Sequence, residues 1–96
     1  MALFVVLPAD VDDVCRETIG DKIGVVRAND GAAACLMVGV VRPRLIVATL
    51  DLPAKERALL EDAAVATGAR IVFLTPGADA MAIERILANA VAVAFP

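Results

Sequence analysis

Two kinds of apolar pattern alternate along the chain. Short continuous apolar runs, such as Ala2–Leu7 and Leu45–Leu50, contain no charged side chain, which is typical of strands buried on both faces of a parallel sheet. In the segments between such runs, apolar residues recur at helical spacing, as Val11 and Val14 do after an N-cap candidate at Asp10. The alternation predicts an α/β fold with helices on both faces of one sheet.

The expected elements follow one another as strand, helix, strand along the whole chain. Strands are expected at Ala2–Leu7, Lys22–Arg27, Leu45–Leu50, Arg70–Thr75 and Val91–Phe95. Helices are expected from Asp10 to Gly20 and over Ala32–Val41, Ala54–Thr67 and Ala78–Asn89. This order predicts a doubly wound, five-stranded parallel sheet, (βα)4β, with right-handed crossovers. We expect a single domain over residues 1–96. Because no fifth helix follows, one side of the sheet is expected to lack a covering helix, so that either a partner covers this side or the domain is part of a longer protein.

The composition excludes several classes of chemistry. The chain contains no His, Ser, Tyr, Trp or Gln, so it has neither a Ser–His triad nor a histidine base or zinc ligand. Twelve acidic residues outnumber nine basic ones, whereas nucleic-acid affinity comes largely from Lys and Arg that neutralise phosphates. We therefore expect no catalytic residue, no metal, no cofactor and no nucleic-acid partner.

The two cysteines and the lengths of the apolar runs bear on location. Cys15 and Cys35 lie in apolar helical contexts, where a free cysteine behaves as a small hydrophobic residue. The chain shows no secretory signal, and no uncharged run approaches the roughly 20 residues needed to span a bilayer. These features predict a cytoplasmic protein with two free thiols and no membrane insertion.

Residues 25–53, VVRANDGAAACLMVGVVRPRLIVATLDLP, resemble the receiver domain of bacterial response regulators. The shared features are a strand, a DG turn with Ala34 three residues on, an RP-x-LIV segment, and Pro53 closing the loop after strand three. Ile71–Thr75 resembles the fourth strand of that family, which ends in Thr, and Ala92–Pro96 resembles its fifth, which ends in Lys-Pro. The resemblance covers essentially the whole chain and implies a flavodoxin-like sheet.

The resemblance also implies where a phosphoryl site would lie, and the chain departs from the family there. The family has an acidic pair after strand one, an acceptor Asp ending strand three and a Lys ending strand five. Here Pro8 and Ala9 follow strand one, Thr49 stands at the acceptor position and Phe95 replaces the Lys. We therefore expect a degenerate phosphoacceptor position at Thr49. The residual pocket is expected to contain Asp10, Asp12, Asp51, Thr75 and Phe95.

The sequence is also compatible with three alternative interpretations: an active phosphoacceptor, a cation site and an RNA-binding module. Asp51 would be an active phosphoacceptor if strand three were shifted by two residues, which preserves the face it points to. The acids at 10, 12, 13 and 51 would gather a hard cation if they did not instead cap the first helix and complement its dipole. Residues 31–75, which include LIVATLD and Gly68–Arg70, loosely resemble the kink-turn-binding ribosomal protein family, and this resemblance implies an RNA-binding module. The Gly-Asn-x-x-x-Lys segment of that family corresponds here to residues 29–34, without a lysine.

The second helix is expected to present an apolar face to a partner, because Gly31–Val41 contains no polar side chain and exposed apolar patches mark interaction sites. By comparison with the receiver pattern, Ala34, Cys35, Val38 and Val41 should face the sheet, which leaves Ala33, Leu36, Met37 and Val40 toward solvent. In the third helix Leu59, Ala63 and Ala66 should face inward; in the fourth, Ile83 and Leu87 should do so, with Met81, Glu84, Arg85 and Ala88 outward.

The sequence therefore predicts a non-catalytic pseudo-receiver for protein–protein interaction or regulation in signal transduction, independent of phosphorylation. A homodimer or another protein partner is expected through the second helix. Met81 and Arg85 mark a second, weaker candidate surface.

Overall fold

Four strands alternate with four helices in the computed structural model, which describes residues 1–96. The strands are β1 (Ala2–Val5), β2 (Val25–Ala28), β3 (Leu45–Thr49) and β4 (Arg70–Leu74). The helices are α1 (Ala9–Ile19), α2 (Gly31–Val41), α3 (Ala54–Thr67) and α4 (Ala80–Ala94). The prediction of an α/β chain built from alternating strands and helices is confirmed.

The strands form one parallel sheet in the order β2-β1-β3-β4. Every residue of the two central strands, β1 and β3, is buried, which explains why their sequences are continuous apolar runs. The edge strands β2 and β4 are partly exposed. The chain order reverses between β1 and β3, as in a doubly wound sheet, where ligands bind beyond the carboxyl ends of the strands.

Helices cover both faces of the sheet, and each face has its own core. On one face, Phe4 and Val47 pack with residues of α1 and α4, among them Cys15 and Leu87. On the other face, residues such as Ile46 pack with α2 and α3. Because successive side chains of a strand point to opposite faces, one short apolar strand supplies both cores.

The predicted fifth strand, Val91–Phe95, is wrong. Helix α4 continues through this segment, and the Phe95 N–H donates to the Val91 carbonyl at 2.8 Å. The reason is packing: Ile83, Leu87 and Ala90 are buried at helical spacing, and Val91, Ala94 and Phe95 extend the same contact. The sheet therefore has four strands. The fourth helix lies beside α1 and covers the side that the sequence left without a helix.

Two smaller expectations are also corrected. Pro8, rather than Asp10, occupies the N-cap of α1, and Asp10 lies in the first turn without a capping hydrogen bond. The bounds of α3 are as predicted, but its inner face is turned. Leu60 and Ala64 are buried, Ala63 is half-buried, and Leu59 and Ala66 are exposed.

Candidate functional site

The carboxyl edge of the sheet is where an open α/β fold places its site. A cavity of about 240 Å³ lies there, at the ends of β1, β2 and β3 and the start of α3. Its lining consists of Val6, Asn29, Asp30, Gly31, Thr49, Asp51, Leu52, Pro53 and Glu56. The structure therefore brings Thr49 and Asp51 together beyond β3.

Thr49 is engaged in the turn that follows its strand. Its side chain is nearly buried, with 8% of the residue exposed, and its Oγ1 accepts a hydrogen bond from the Asp51 N–H at 3.2 Å. The Asp51 carboxylate is exposed and takes part in no hydrogen bond or ion pair. A neutral hydroxyl cannot form an acyl phosphate, so this end of β3 offers turn geometry but no phosphoacceptor at the position of Thr49.

Asp12 is paired with Arg27, across α1 and β2. The Arg27 Nε donates to one carboxylate oxygen of Asp12 at 2.8 Å and Nη2 donates to the other at 2.7 Å. These hydrogen bonds hold the pKa of Asp12 below its usual value. The same guanidinium lies 5.7 Å from the centre of the Phe4 ring, within cation–π range. Asp12 thus fixes α1 to the sheet beside a separate cavity of about 230 Å³.

The acidic residues do not converge on a metal position. No group of three or more His, Cys, Asp or Glu side chains lies close enough to hold a metal ion. Asp10 and Asp12 lie in the first turn of α1, where negative charge complements the helix dipole. Asp51 lines the other cavity. Asp10 and Asp12 are therefore placed to complement the dipole of α1, and they do not come together with Asp51.

Thr75 and Phe95 do not join this pocket. Thr75 follows β4 and is exposed, with its carbonyl accepting the Ala78 N–H at 3.1 Å. Phe95 ends α4, which runs back from the carboxyl edge, so it lies at the amino edge of the sheet instead of ending a strand. The residual pocket expected from the receiver resemblance is therefore divided among different places in the fold.

Val6 is a residue of the carboxyl edge that the sequence analysis missed. It lines both cavities and adopts a left-handed backbone conformation with φ 53°. That conformation is unusual for a β-branched residue. The Val6 N–H still donates to the Ala28 carbonyl at 3.0 Å, and after this hydrogen bond the left-handed conformation turns the chain out of β1. The sequence does not indicate this left-handed conformation, because the residues that usually adopt it are Gly and Asn.

Helix α2 presents an apolar stripe to solvent. Leu36 is 75% exposed and Val40 is 85% exposed, whereas Ala33 and Met37 are half-buried. These four residues, called the α2 surface below, are spaced i, i+3, i+4 and i+7 and therefore share one side of the helix. On the opposite side, Ala34 and Val38 are fully buried, with Cys35 and Val41 half-buried.

Helix α4 presents a more polar outer face. Met81 is 72% exposed and Arg85 is exposed one turn further along, beside Glu84. Ile83 and Leu87 are buried against the sheet, as predicted. The charged neighbours of Met81 distinguish this surface from the uncharged α2 surface.

Comparison of the chain with protein-family models and with curated proteins found no match. None of the four helices is both long enough and apolar enough to cross a membrane.

Proposed function

We propose that this chain is a non-catalytic, receiver-like interaction domain whose α2 surface binds a second copy of the chain. The observation that carries the proposal is the exposure of Leu36 and Val40 on a helix without a single polar side chain. A solvent-facing helix ordinarily carries charged or polar residues on its outer side. Exposed contiguous apolar surface is typical of interaction sites.

The size of the surface is compatible with a specific contact. A biological interface buries about 1,000 Å² or more in total, which is about 500 Å² from each copy. The chain exposes 5487 Å², so such an interface requires about a tenth of its surface. Leu36 and Val40 on α2, with Val65 on the neighbouring α3 at 83% exposed, supply exposed apolar side chains for such an interface.

Charge favours a second copy as the occupant. The chain has a formal net charge of −3, and two copies of any patch that carries one sign of charge repel each other. Helix α2 contains no charged residue between Gly31 and Val41. Residues 31–41 of two copies can therefore pack together without charged side chains of their own between them, in the self-complementary arrangement of a two-fold dimer.

The carboxyl edge supports a role without phosphoryl transfer. The acceptor position holds Thr49, whose hydroxyl is hydrogen-bonded in its turn, and Asp12 is already paired with Arg27. What remains of the receiver resemblance is the sheet order β2-β1-β3, the DG turn entering α2, and the loop closed by Pro53. A regulatory domain that acts through contact alone, within signal transduction, needs no more than this framework.

A cytoplasmic location is part of the proposal. Cys15 and Cys35 are both free thiols, and unpaired cysteines are usual in a reducing compartment, where disulfides are rare.

Sedimentation velocity tests the proposal. Interference optics are needed because the chain lacks Trp and Tyr, which would absorb in the near ultraviolet. We expect a reversible dimer that Leu36→Glu dissociates and Met81→Glu leaves intact. Both changes place the same charge on a strongly exposed apolar residue, on opposite faces of the sheet. A monomer at every concentration, or a dimer broken by Met81→Glu alone, would contradict the proposal.

A further inference from the structure

At the amino edge of the sheet, opposite the cavities described above, lies a larger cleft of about 590 Å³. It is bordered by the loop before β3, the turn between α3 and β4, and the end of α4. Its lining consists of Arg42, Pro43, Arg44, Thr67, Gly68, Ala69, Arg70, Val93, Ala94 and Pro96. Three of the nine basic residues of the chain therefore border one cleft, whose lining contains no acidic residue.

A backbone hydrogen bond joins the two segments that carry Arg44 and Arg70 at this edge. The Arg70 N–H donates to the Arg44 carbonyl at 2.9 Å, where β4 begins to pair with β3. Arg42 precedes them as the C-cap of α2, in a left-handed conformation with φ 52°. Glycine adopts that conformation more readily, so the backbone of Arg42 turns at this edge at a conformational cost.

The three guanidinium groups have no partner within the chain. The single ion pair of the protein joins Arg27 to Asp12, and none of the side-chain hydrogen bonds involves Arg42, Arg44 or Arg70. Arginine stays protonated at all ordinary pH values and offers five donors in a planar fork. The cleft therefore concentrates permanent positive charge and unused hydrogen-bond donors in a chain whose net charge is negative.

Many of the acidic residues lie at the other end of the molecule. At the carboxyl edge are the α1 first-turn acids, the caps of α2 and α4, and the acids beside the Thr49 cavity: Asp10, Asp12, Asp30, Asp51, Glu56 and Asp79. These acids lie too far along the strands to neutralise the arginines at the amino edge.

We infer that the arginine cleft binds the phosphate groups of a small molecule. Guanidinium forks match the oxygens of phosphate and make strong, charge-assisted hydrogen bonds to them. The volume lies within the roughly 300–1,000 Å³ typical of small-molecule sites. Val93, Ala94 and Ala69 add apolar wall to the cleft. This site is independent of the α2 surface and does not rest on the function proposed above.

Amide NMR spectra test the inference, with metal-free pyrophosphate titrated at constant ionic strength. We expect saturable shifts at Gly68, Ala69 and Arg70, and an apparent Kd at least about tenfold weaker in Arg44→Gln and in Arg70→Gln, because each removes charged hydrogen-bond donors. The control is Lys55→Gln, which removes one exposed positive charge at the start of α3, at the opposite edge, and should bind as the parent does.

A parallel titration with ADP separates two sources of the same chemistry. Tighter binding of ADP than of pyrophosphate would show that the apolar wall takes the rest of a phosphate ester, and equal binding would show a site for the phosphates alone. Shifts that never saturate, or that survive both arginine variants, would overturn the inference. So would shifts at these amides that follow protein concentration without added phosphate, because the acidic edge of a second copy would then occupy the cleft.

Discussion

Gly31 and Gly39, both in α2, are expected to respond to alanine in opposite directions. Gly31 is buried where α2 begins, and a Cβ built on it would lie 2.8 Å from Cβ and Cδ of Glu56 and 2.9 Å from its Oε2. Cβ of Glu56 is fixed by the backbone of α3, so α2 and α3 must move apart. Gly39 lies in the interior of the same helix, and a Cβ there meets nothing within 4 Å.

The magnitudes follow from these contacts. Overpacking of this kind costs about 1–3 kcal/mol and outweighs the roughly 0.5–1 kcal/mol that alanine gains over glycine in a helix, so Gly31→Ala should lower the free energy of unfolding by about 0.5–2 kcal/mol. Gly39→Ala should raise it by roughly 0.5–1 kcal/mol, because alanine restricts the unfolded chain and favours the helix. The total stability of a domain is only about 5–15 kcal/mol, so both changes are measurable.

Urea unfolding followed by far-UV circular dichroism is the suitable assay. Both alanine variants are best made in a Leu36→Glu background, so that association through the α2 surface does not contribute to stability. Equal stability of Gly31→Ala and its parent would mean that α2 and α3 do not approach closely at Glu56. Destabilisation by Gly39→Ala would show that this position is not open.

Three further predictions concern the thiols, the ion pair and the phosphoacceptor position. Burial raises the pKa of Cys15 to about 12 and also raises that of Cys35, chiefly by desolvation; iodoacetamide should label half-buried Cys35 before Cys15, and equal labelling rates by mass spectrometry would contradict this burial pattern. Arg27 lowers the pKa of Asp12, so the ion pair contributes its full stabilisation above the ordinary Asp pKa of about 3.9. That stabilisation is lost as the pH falls through the lowered pKa of Asp12. Thermal melts in the acid range should show this loss in the parent and not in Asp12→Asn. Incubation with acetyl phosphate and Mg²⁺ should leave the intact mass unchanged, and a gain of one phosphoryl group in the parent that Asp51→Asn abolishes would show that Asp51 is an active acceptor.

The elements that could be predicted from the sequence are those with local signals. Pro53 and Gly68 mark the two ends of α3, and its bounds agree with the structure residue for residue. The uninterrupted apolar runs of β1 and β3 correctly indicate strands in the middle of a parallel sheet. These signals act within a few residues, so no knowledge of distant contacts is needed to use them.

The errors arise where a distant contact decides the structure. Val91 and Val93 alternate with alanine as strand residues would, yet continuity with Leu87 along one helical side lets α4 bury this segment against α1. The inner face of α3 is shifted by one position because packing selects Leu60 over Leu59.

The candidate site shows the same limit. The position of Thr49 could be predicted, because the strand and the spacing to Pro53 place it at the end of β3. The pairing of Asp12 with Arg27 could not, since fifteen residues separate them and the contact exists only once α1 packs beside β2. The arginine cleft could not be predicted from the sequence either, because Arg70 reaches the edge that carries Arg42 and Arg44 only when β3 and β4 are paired.

The most direct test of the proposed function is to map self-association residue by residue. Amide NMR spectra of the unmodified chain recorded over a wide concentration series report which residues enter the contact. We expect concentration-dependent shifts centred on Leu36 and Val40, with neighbours along α2 affected less and α4 unaffected. Spectra that do not change with concentration, or changes centred on Met81 and Arg85, would contradict the proposed function.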